Sequence, residues 1–228
     1  MPPAGSEPLK MNYMKKLILF DLDGTLLDTI EDLGEAVNHA LQAHGLPVRA
    51  KEEFPAMVGH GIRNLVKNAL PQHLKEDTAV LDSCLKDFVD YYSSHIDIHT
   101  KPYNGITELL HRLEGRNVKL AVVSNKFQKG AEKLVGKFFG DIAFVCILGN
   151  RPGHPLKPDP AIVEEVLSAA NMKKEDCVLV GDSLPDMLTA ANSGIDAIAV
   201  SWGYCKHSEL SLYRIAGNTE ELESLLSR

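Results

Sequence analysis

The stretch "ILFDLDGTLLDT", Ile18 to Thr29, runs an apolar segment straight into acids: Asp21 follows the run directly, Asp23 lies two positions on and Asp28 closes the segment. "KLILF", Lys16 to Phe20, has the length and composition of a strand buried on both faces. Carboxylates crowded at the end of one strand repel each other unless something cationic sits among them. A metal ion is the simplest such cation.

Outward from this strand, similar short runs recur: "VKLAVV" (Val118 to Val123), "IAFVCIL" (Ile142 to Leu148), "CVLV" (Cys177 to Val180) and "IDAIAV" (Ile195 to Val200). Helical patterns separate the later ones, namely "FQKGAEKLVGKFFG", "PAIVEEVLSAAN" and "LPDMLTAANSG", the last two closing near Asn171 and Gly194. Strand and helix in alternation predict an α/β fold, an open parallel sheet with helices on both faces. One interval breaks the rhythm. From Ile30 to about His99 there is helix after helix and no convincing strand, with Leu33, Val37 and Leu41 at four-residue spacing and Ile62, Leu65, Val66 and Ala69 on one stripe. This predicts an all-helical cap, residues 29–99, inserted after the first strand of a catalytic core made of residues 15–28 and 100–228. The Pro-containing start, residues 1–14, has no apolar leader segment and is expected to be a mobile extension.

Composition narrows the function. A chain of 228 residues that is 44% hydrophobic can bury a substantial core. Its formal net charge of -7 disfavours a nucleic-acid partner, because phosphate-backbone binding draws on clustered Lys and Arg. Cys84, Cys146, Cys177 and Cys205 form no C-x-x-C pair, so the expectation is reduced thiols and no zinc site. No run approaches the ~18 apolar residues of a membrane span, which leads us to expect a cytoplasmic protein without a membrane partner.

In an open α/β sheet the carboxyl ends of the strands line one crevice. Those ends here carry Asp21 and Asp23, then Ser124 and Asn125, then Asp182 with Asp186. Lys157, in "LKPDP", precedes a proline and so lies in an extended or turn segment that can reach across. Acids, one lysine and one hydroxyl suit phosphoryl transfer from a monoester, where the protein's work is positioning and charge neutralisation. Hard oxygen ligands favour Mg2+ over zinc. Read singly, these residues have plain structural uses: Asp182 and Asp186 at a helix N-terminus, Asp21 and Asp23 in a turn, Lys157 and Ser124 on the surface. Asp28 reads as a linker residue, Trp202 as packing near the crevice, and the nine histidines form no metal-binding pair.

Taken together, "DLDGT", "VVSN", "LKPDP" and "GDSLPD", in this order, resemble the four motifs of the haloacid dehalogenase superfamily of phosphatases. "VGHG" (Val58 to Gly61) and "WGY" (Trp202 to Tyr204) are similar to its phosphoglycolate phosphatase branch. The resemblance implies Asp21 as nucleophile and metal ligand, and Asp23 as general acid/base that also offers its backbone carbonyl to the metal. It implies Asp182 as a further metal ligand, with Asp186 holding metal-bound water or orienting Lys157. Ser124, the Asn125 backbone N–H and Lys157 would hold the phosphoryl group. In the cap, His60 and Arg63 are candidates for substrate choice, Arg63 because it shares a helix face with Lys67 away from the apolar stripe. The expected partner is a small phosphorylated metabolite; the expected reaction is Mg2+-dependent phosphate-ester hydrolysis. A phosphomutase, a pyrophosphatase and a receiver-like phospho-signalling module remain as alternatives.

Overall fold

The computed structural model describes residues 14–227, so the expected extension lies outside the described residues except for Met14, which packs against the core. Strand β1 (Leu17–Phe20) is followed by the two-residue β2 (Leu27–Asp28). Helices α1 (Ile30–Ala43), α2 (Ile62–Ala69) and α3 (Thr78–His95) come next, and then β3 (Lys101–Pro102). The remainder alternates: α4 (Ile106–Gly115), β4 (Lys119–Phe127), α5 (Gln128–Phe138), β5 (Phe144–Asn150), α6 (Ala161–Ala170), β6 (Cys177–Gly181), α7 (Leu184–Ser193), β7 (Asp196–Val200), β8 (Ile215–Ala216) and α8 (Thr219–Leu226).

The large sheet has the order β5-β4-β1-β6-β7-β8, and every pairing in it is parallel. Its two faces follow from side-chain alternation. Ile18 and Phe20 of β1, Leu120 and Val122 of β4, and Val178 and Val180 of β6 join one apolar cluster, which continues through α4, α5 and α8 into the helical insertion. Leu17, Leu19, Ala121, Val123, Cys177 and Leu179 point the other way, onto Val163 and Val166 of α6 and Ala190 of α7. Each fully buried Leu, Ile or Phe contributes roughly 1.5–3 kcal/mol to holding these layers together. Helices α6 and α7 close on left-handed residues, Asn171 at φ 52° and Gly194 at φ 67°, whose N–H groups cap the last carbonyls.

Between β2 and β3 the chain is helical apart from loops and 3-10 turns, none of it in the large sheet. Leu65, Val66 and Ala69 of α2 and Leu81, Cys84, Phe88 and Tyr92 of α3 turn inward. Asp77 caps α3, accepting from the N–H groups of Ala79 and Val80. Where the chain enters and leaves the insertion, β2 and β3 pair antiparallel, Leu27 opposite Pro102 and Asp28 opposite Lys101. Buried Asp32, in the first turn of α1, ties the same junction by accepting from the N–H groups of His99 and Thr100 and from the Thr100 hydroxyl. Asp28 is therefore a strand residue at this junction, where it accepts from the Tyr204 hydroxyl at 3.3 Å, and not a bare linker.

Candidate active site

Register brings the chemistry together. Phe20 pairs with Val122 on one side and with Val180 on the other, so the residues that follow emerge at the same end of three adjacent strands. β1 sits where the chain's path through the sheet changes direction, the position at which such sheets form a crevice. Asp21, Asp182 and Asp186 meet there, all buried, with carboxylate oxygens within 4.8 Å of one another.

Lys157 is held beneath them. Its ammonium donates to Asp186 Oδ1 at 2.5 Å and to the Val123 carbonyl at 2.9 Å, and stands 2.9 Å from Asp21 Oδ1. Asp186 also accepts at Oδ2 from the N–H and hydroxyl of Ser183, so it caps α7 and orients Lys157 at once. Asp182 accepts from the Thr25 hydroxyl and from the Tyr204 N–H at 2.7 Å. Gly24, at φ 86°, and Gly203 both back onto the Asp182 carboxylate; a Cβ on either would run into it.

One ammonium against three buried carboxylates leaves negative charge in excess. Burial and the neighbouring Asp186 raise the Asp21 carboxyl to about 7 despite Lys157. Burial and Asp21 raise Asp182 to about 8. Burial alone would lower the Lys157 ammonium, but Asp186 and Asp21 outweigh it and hold Lys157 above its usual range. Asp21 Oδ1, although near Lys157, has no aligned hydrogen-bond donor. Hard oxygen donors only, buried within reach of one another, and surplus negative charge fit a divalent cation of the magnesium type, which Asp21 and Asp182 would hold.

These shifts give a testable pH signature. In the metal-free native state Asp21 and Asp182 retain protons that the unfolded chain releases near pH 4, so stability falls as pH rises from about 4 through 7 and 8. If Asp21 alone carried it, the loss would be about 4 kcal/mol. Thermal melts with chelator should show it. Mg2+ should restore more stability at pH 8 than at pH 5, and Asp182→Asn should flatten both dependences.

Asp23 stands apart from this cluster. Its side chain points to Lys126, whose ammonium lies 3.0 Å from Oδ1 and 3.2 Å from Oδ2 and also donates to the Tyr92 hydroxyl at 2.7 Å. Asp23 thus lines both openings at the crevice while its carboxylate pairs with Lys126, outside the group of acids that meet at Asp21. Lys126 was not among the residues singled out from the sequence.

Strand β4 runs past Val123 to Phe127 with a register slip between those two residues. Ser124, Asn125 and Lys126 occupy that irregular stretch, with Ser124 Oγ accepting from the Lys126 N–H. The Asn125 amide is spent on structure: it donates to the carbonyls of Gly59 and Lys157, and its Oδ1 accepts from the Lys157 N–H at 2.8 Å. It fastens the cap loop and the lysine loop to the sheet.

Two openings reach the acids. A small cavity of about 30 Å3 is walled by Leu33, Val58, Ile62 and Leu65 of the insertion over Asp21, Asp23, Ser124, Asn125 and Lys126. A larger cleft of about 470 Å3 reaches Asp21, Asp23 and Asp182, with His60, Lys206, Glu52 and Glu53 along it. His60 therefore lies at the mouth. Arg63 does not: it is exposed, paired with Asp82 of α3 at 2.6 Å, and lines neither opening. Lys67 likewise pairs with Glu76. The face opposite the apolar stripe of α2 turns to solvent and α3, so Arg63 and Lys67 are not brought to these two openings. Trp202 donates from Nε1 to the Thr25 carbonyl, and Tyr204, its hydroxyl bonded to the Thr29 N–H, lines the large cleft.

The family model described as "Haloacid dehalogenase-like hydrolase" matches residues 18–200. The chain is a haloacid dehalogenase-like hydrolase. Among the relatives of this hydrolase is a phosphoglycolate phosphatase of Mesorhizobium japonicum, 35% identical over 191 residues, covering 83% of this chain and 84% of that one. Another is phosphoglycolate phosphatase 1 of Pseudomonas aeruginosa, 30% identical, covering 88% of this chain and 75% of that one. A crystal structure from Lactobacillus delbrueckii subsp. bulgaricus superposes with a TM-score of 0.88 at 31% identity, covering 93% of the hydrolase and 98% of that chain. Membership in an enzyme family sets aside the receiver-like alternative. No helix among the hydrolase's described residues is long and apolar enough to cross a membrane.

Proposed function

We propose that this hydrolase cleaves small phosphate monoesters of the 2-phosphoglycolate type, with Mg2+ as cofactor, by way of an aspartyl-phosphate. The observation that carries the reading is Asp21 itself: a buried carboxylate at the end of β1, set between an ammonium 2.9 Å away and two further acids, with another acid two residues on. The names of the two relatives at 30–35% identity support the substrate class.

In the mechanism, Asp21 attacks phosphorus, the ester oxygen departs, and Asp23 protonates that oxygen as it leaves. Water then cleaves the aspartyl-phosphate with Asp23 taking its proton, which returns both acids to their starting states. Ser124 Oγ and the Asn125 N–H hold phosphoryl oxygens beside Lys157, whose position is fixed by Asp186 and the Val123 carbonyl. A divalent cation held by Asp21 and Asp182 supplies neutralisation of the phosphoryl charge when bound. The apolar wall of Leu33, Val58, Ile62 and Leu65 excludes water from the leaving-group side, and His60 lines the larger cleft beside it.

A Mg2+-supplemented panel of 2-phosphoglycolate, sugar phosphates and pyrophosphate tests the reading. The expected result is the highest kcat/KM on 2-phosphoglycolate, with inorganic phosphate as product. Transfer to a sugar phosphate, or preference for pyrophosphate, would replace it with a mutase or pyrophosphatase of the same fold.

A further inference from the structure

Lys126 is buried with its side chain only 1% exposed, and no step of the proposed mechanism uses it. An ammonium at such depth is costly unless its donors are satisfied, and here all of them are accounted for within two residues. It bridges both oxygens of Asp23 and donates to the Tyr92 hydroxyl, with the Tyr92 ring 4.8 Å from Nζ. A carboxylate bridged at both oxygens by one fixed cation loses its freedom to rotate. Tyr92 belongs to α3 of the insertion and is itself fixed, fully buried against Phe88 and edge-on to Phe127. Asp23 lies in the turn that follows β1, and Lys126 belongs to β4 of the sheet.

We infer that Lys126 is a positioning residue that aims the Asp23 carboxyl at the leaving-group oxygen, and that Tyr92 makes this aim depend on the seat of the helical insertion. The inference rests on the phosphomonoesterase reading and deepens it. Asp23 has few other restraints: its side chain is 13% exposed, and Lys126 is the only group that anchors its carboxylate among the described residues' hydrogen bonds. Tyr92 in turn is the bond that keeps the ammonium from swinging. The acid is thereby connected, through two side chains, to the element that closes over the substrate.

The test compares wild type, Lys126→Met, Lys126→Arg, Tyr92→Phe, Asp23→Asn and the double variant Lys126→Met/Asp23→Asn, all with Mg2+ and all checked for folding by thermal melt. Three substrates are used: p-nitrophenyl phosphate, whose leaving group needs no proton; ethyl phosphate, poor and uncharged; and 2-phosphoglycolate, poor and anionic. Lys126→Met should lower kcat by about 10–100-fold on both poor leaving groups and by less than about 3-fold on p-nitrophenyl phosphate. Lys126→Arg should recover part of the loss, and Tyr92→Phe should show the same leaving-group pattern at smaller size. In the Asp23→Asn background, Lys126→Met should cost nothing further. An equal loss on all three substrates would make Lys126 a purely structural ion. A loss confined to 2-phosphoglycolate would make it a contact for the substrate carboxylate, and a full additional loss in the Asp23→Asn background would separate it from the acid; each overturns the inference. Should Lys126→Met not fold, the Arg and Tyr92→Phe leaving-group patterns decide in the same way. Wild type inactive on every substrate would instead remove the phosphomonoesterase reading on which the inference stands.

Discussion

Asp21→Asn is expected to reduce turnover to background and to abolish covalent phosphorylation of the protein. An amide is neither an anionic nucleophile nor a good hard ligand, so both the attack and the cation site fail together. The loss is chemical and not one of folding, because the substitution relieves repulsion: Asp21, Asp182 and Asp186 crowd one buried point around a single lysine. The variant should therefore melt higher than wild type in the absence of metal, even as it loses all activity. Acid-quenched protein analysed by intact mass checks the first half, with a phosphoryl adduct in wild type and none in Asp21→Asn; a chelator-treated melt checks the second. Turnover near the wild-type rate would remove Asp21 as nucleophile.

Asp23→Asn is expected to slow hydrolysis of 2-phosphoglycolate by ~100-fold or more, the usual scale for losing a general acid. The slowing should shrink on p-nitrophenyl phosphate, which leaves without a proton, so the ratio of the two losses reports proton donation directly. Mg2+ binding, measured by calorimetry, should be nearly unchanged, because the carboxylate faces Lys126 and stands outside the acid cluster of Asp21, Asp182 and Asp186. The amide keeps one acceptor for the Lys126 ammonium but loses the charge that balances it, so a lower melting temperature is also expected. If good and poor leaving groups slowed alike, Asp23 would be a structural partner of Lys126 and nothing more.

Much of this arrangement could be read from the chain because strand ends announce themselves. Five short apolar runs mark the strands, and parallel pairing brings the ends of three of them, β4, β1 and β6, to one edge, which is how Asp21, Ser124, Asn125 and Asp182 come together across long sequence distances. Strand β8 and the β2–β3 pair are two residues per strand, too short for alternation to register. Lys126 was illegible for a different reason. The apolar run ends at Val123, so "SNK" reads as the start of a loop, whereas the strand continues with a register slip that turns the lysine inward. The apolar Phe127 just beyond it was the available signal. Arg63 shows the opposite limit. Helical spacing correctly separates the polar from the apolar face of α2, but no spacing rule says what the polar face looks at, and here it looks at Asp82.

The pairing of β2 with β3 bears on how the chain finds its fold. Phe20 and Val122 are neighbours in the central sheet although about a hundred positions lie between them, and the entropy lost in joining chain ends grows with the logarithm of that separation. Once the helices between Ile30 and His95 have assembled and β2 has met β3, the segment left to close shrinks to about thirty residues. The remaining cost then falls by about 1 kcal/mol. Asp32, holding the N–H groups of His99 and Thr100, secures that shortcut from inside the insertion. The helices that roof the crevice thus also serve as a splint for the strand pairing on which the crevice depends.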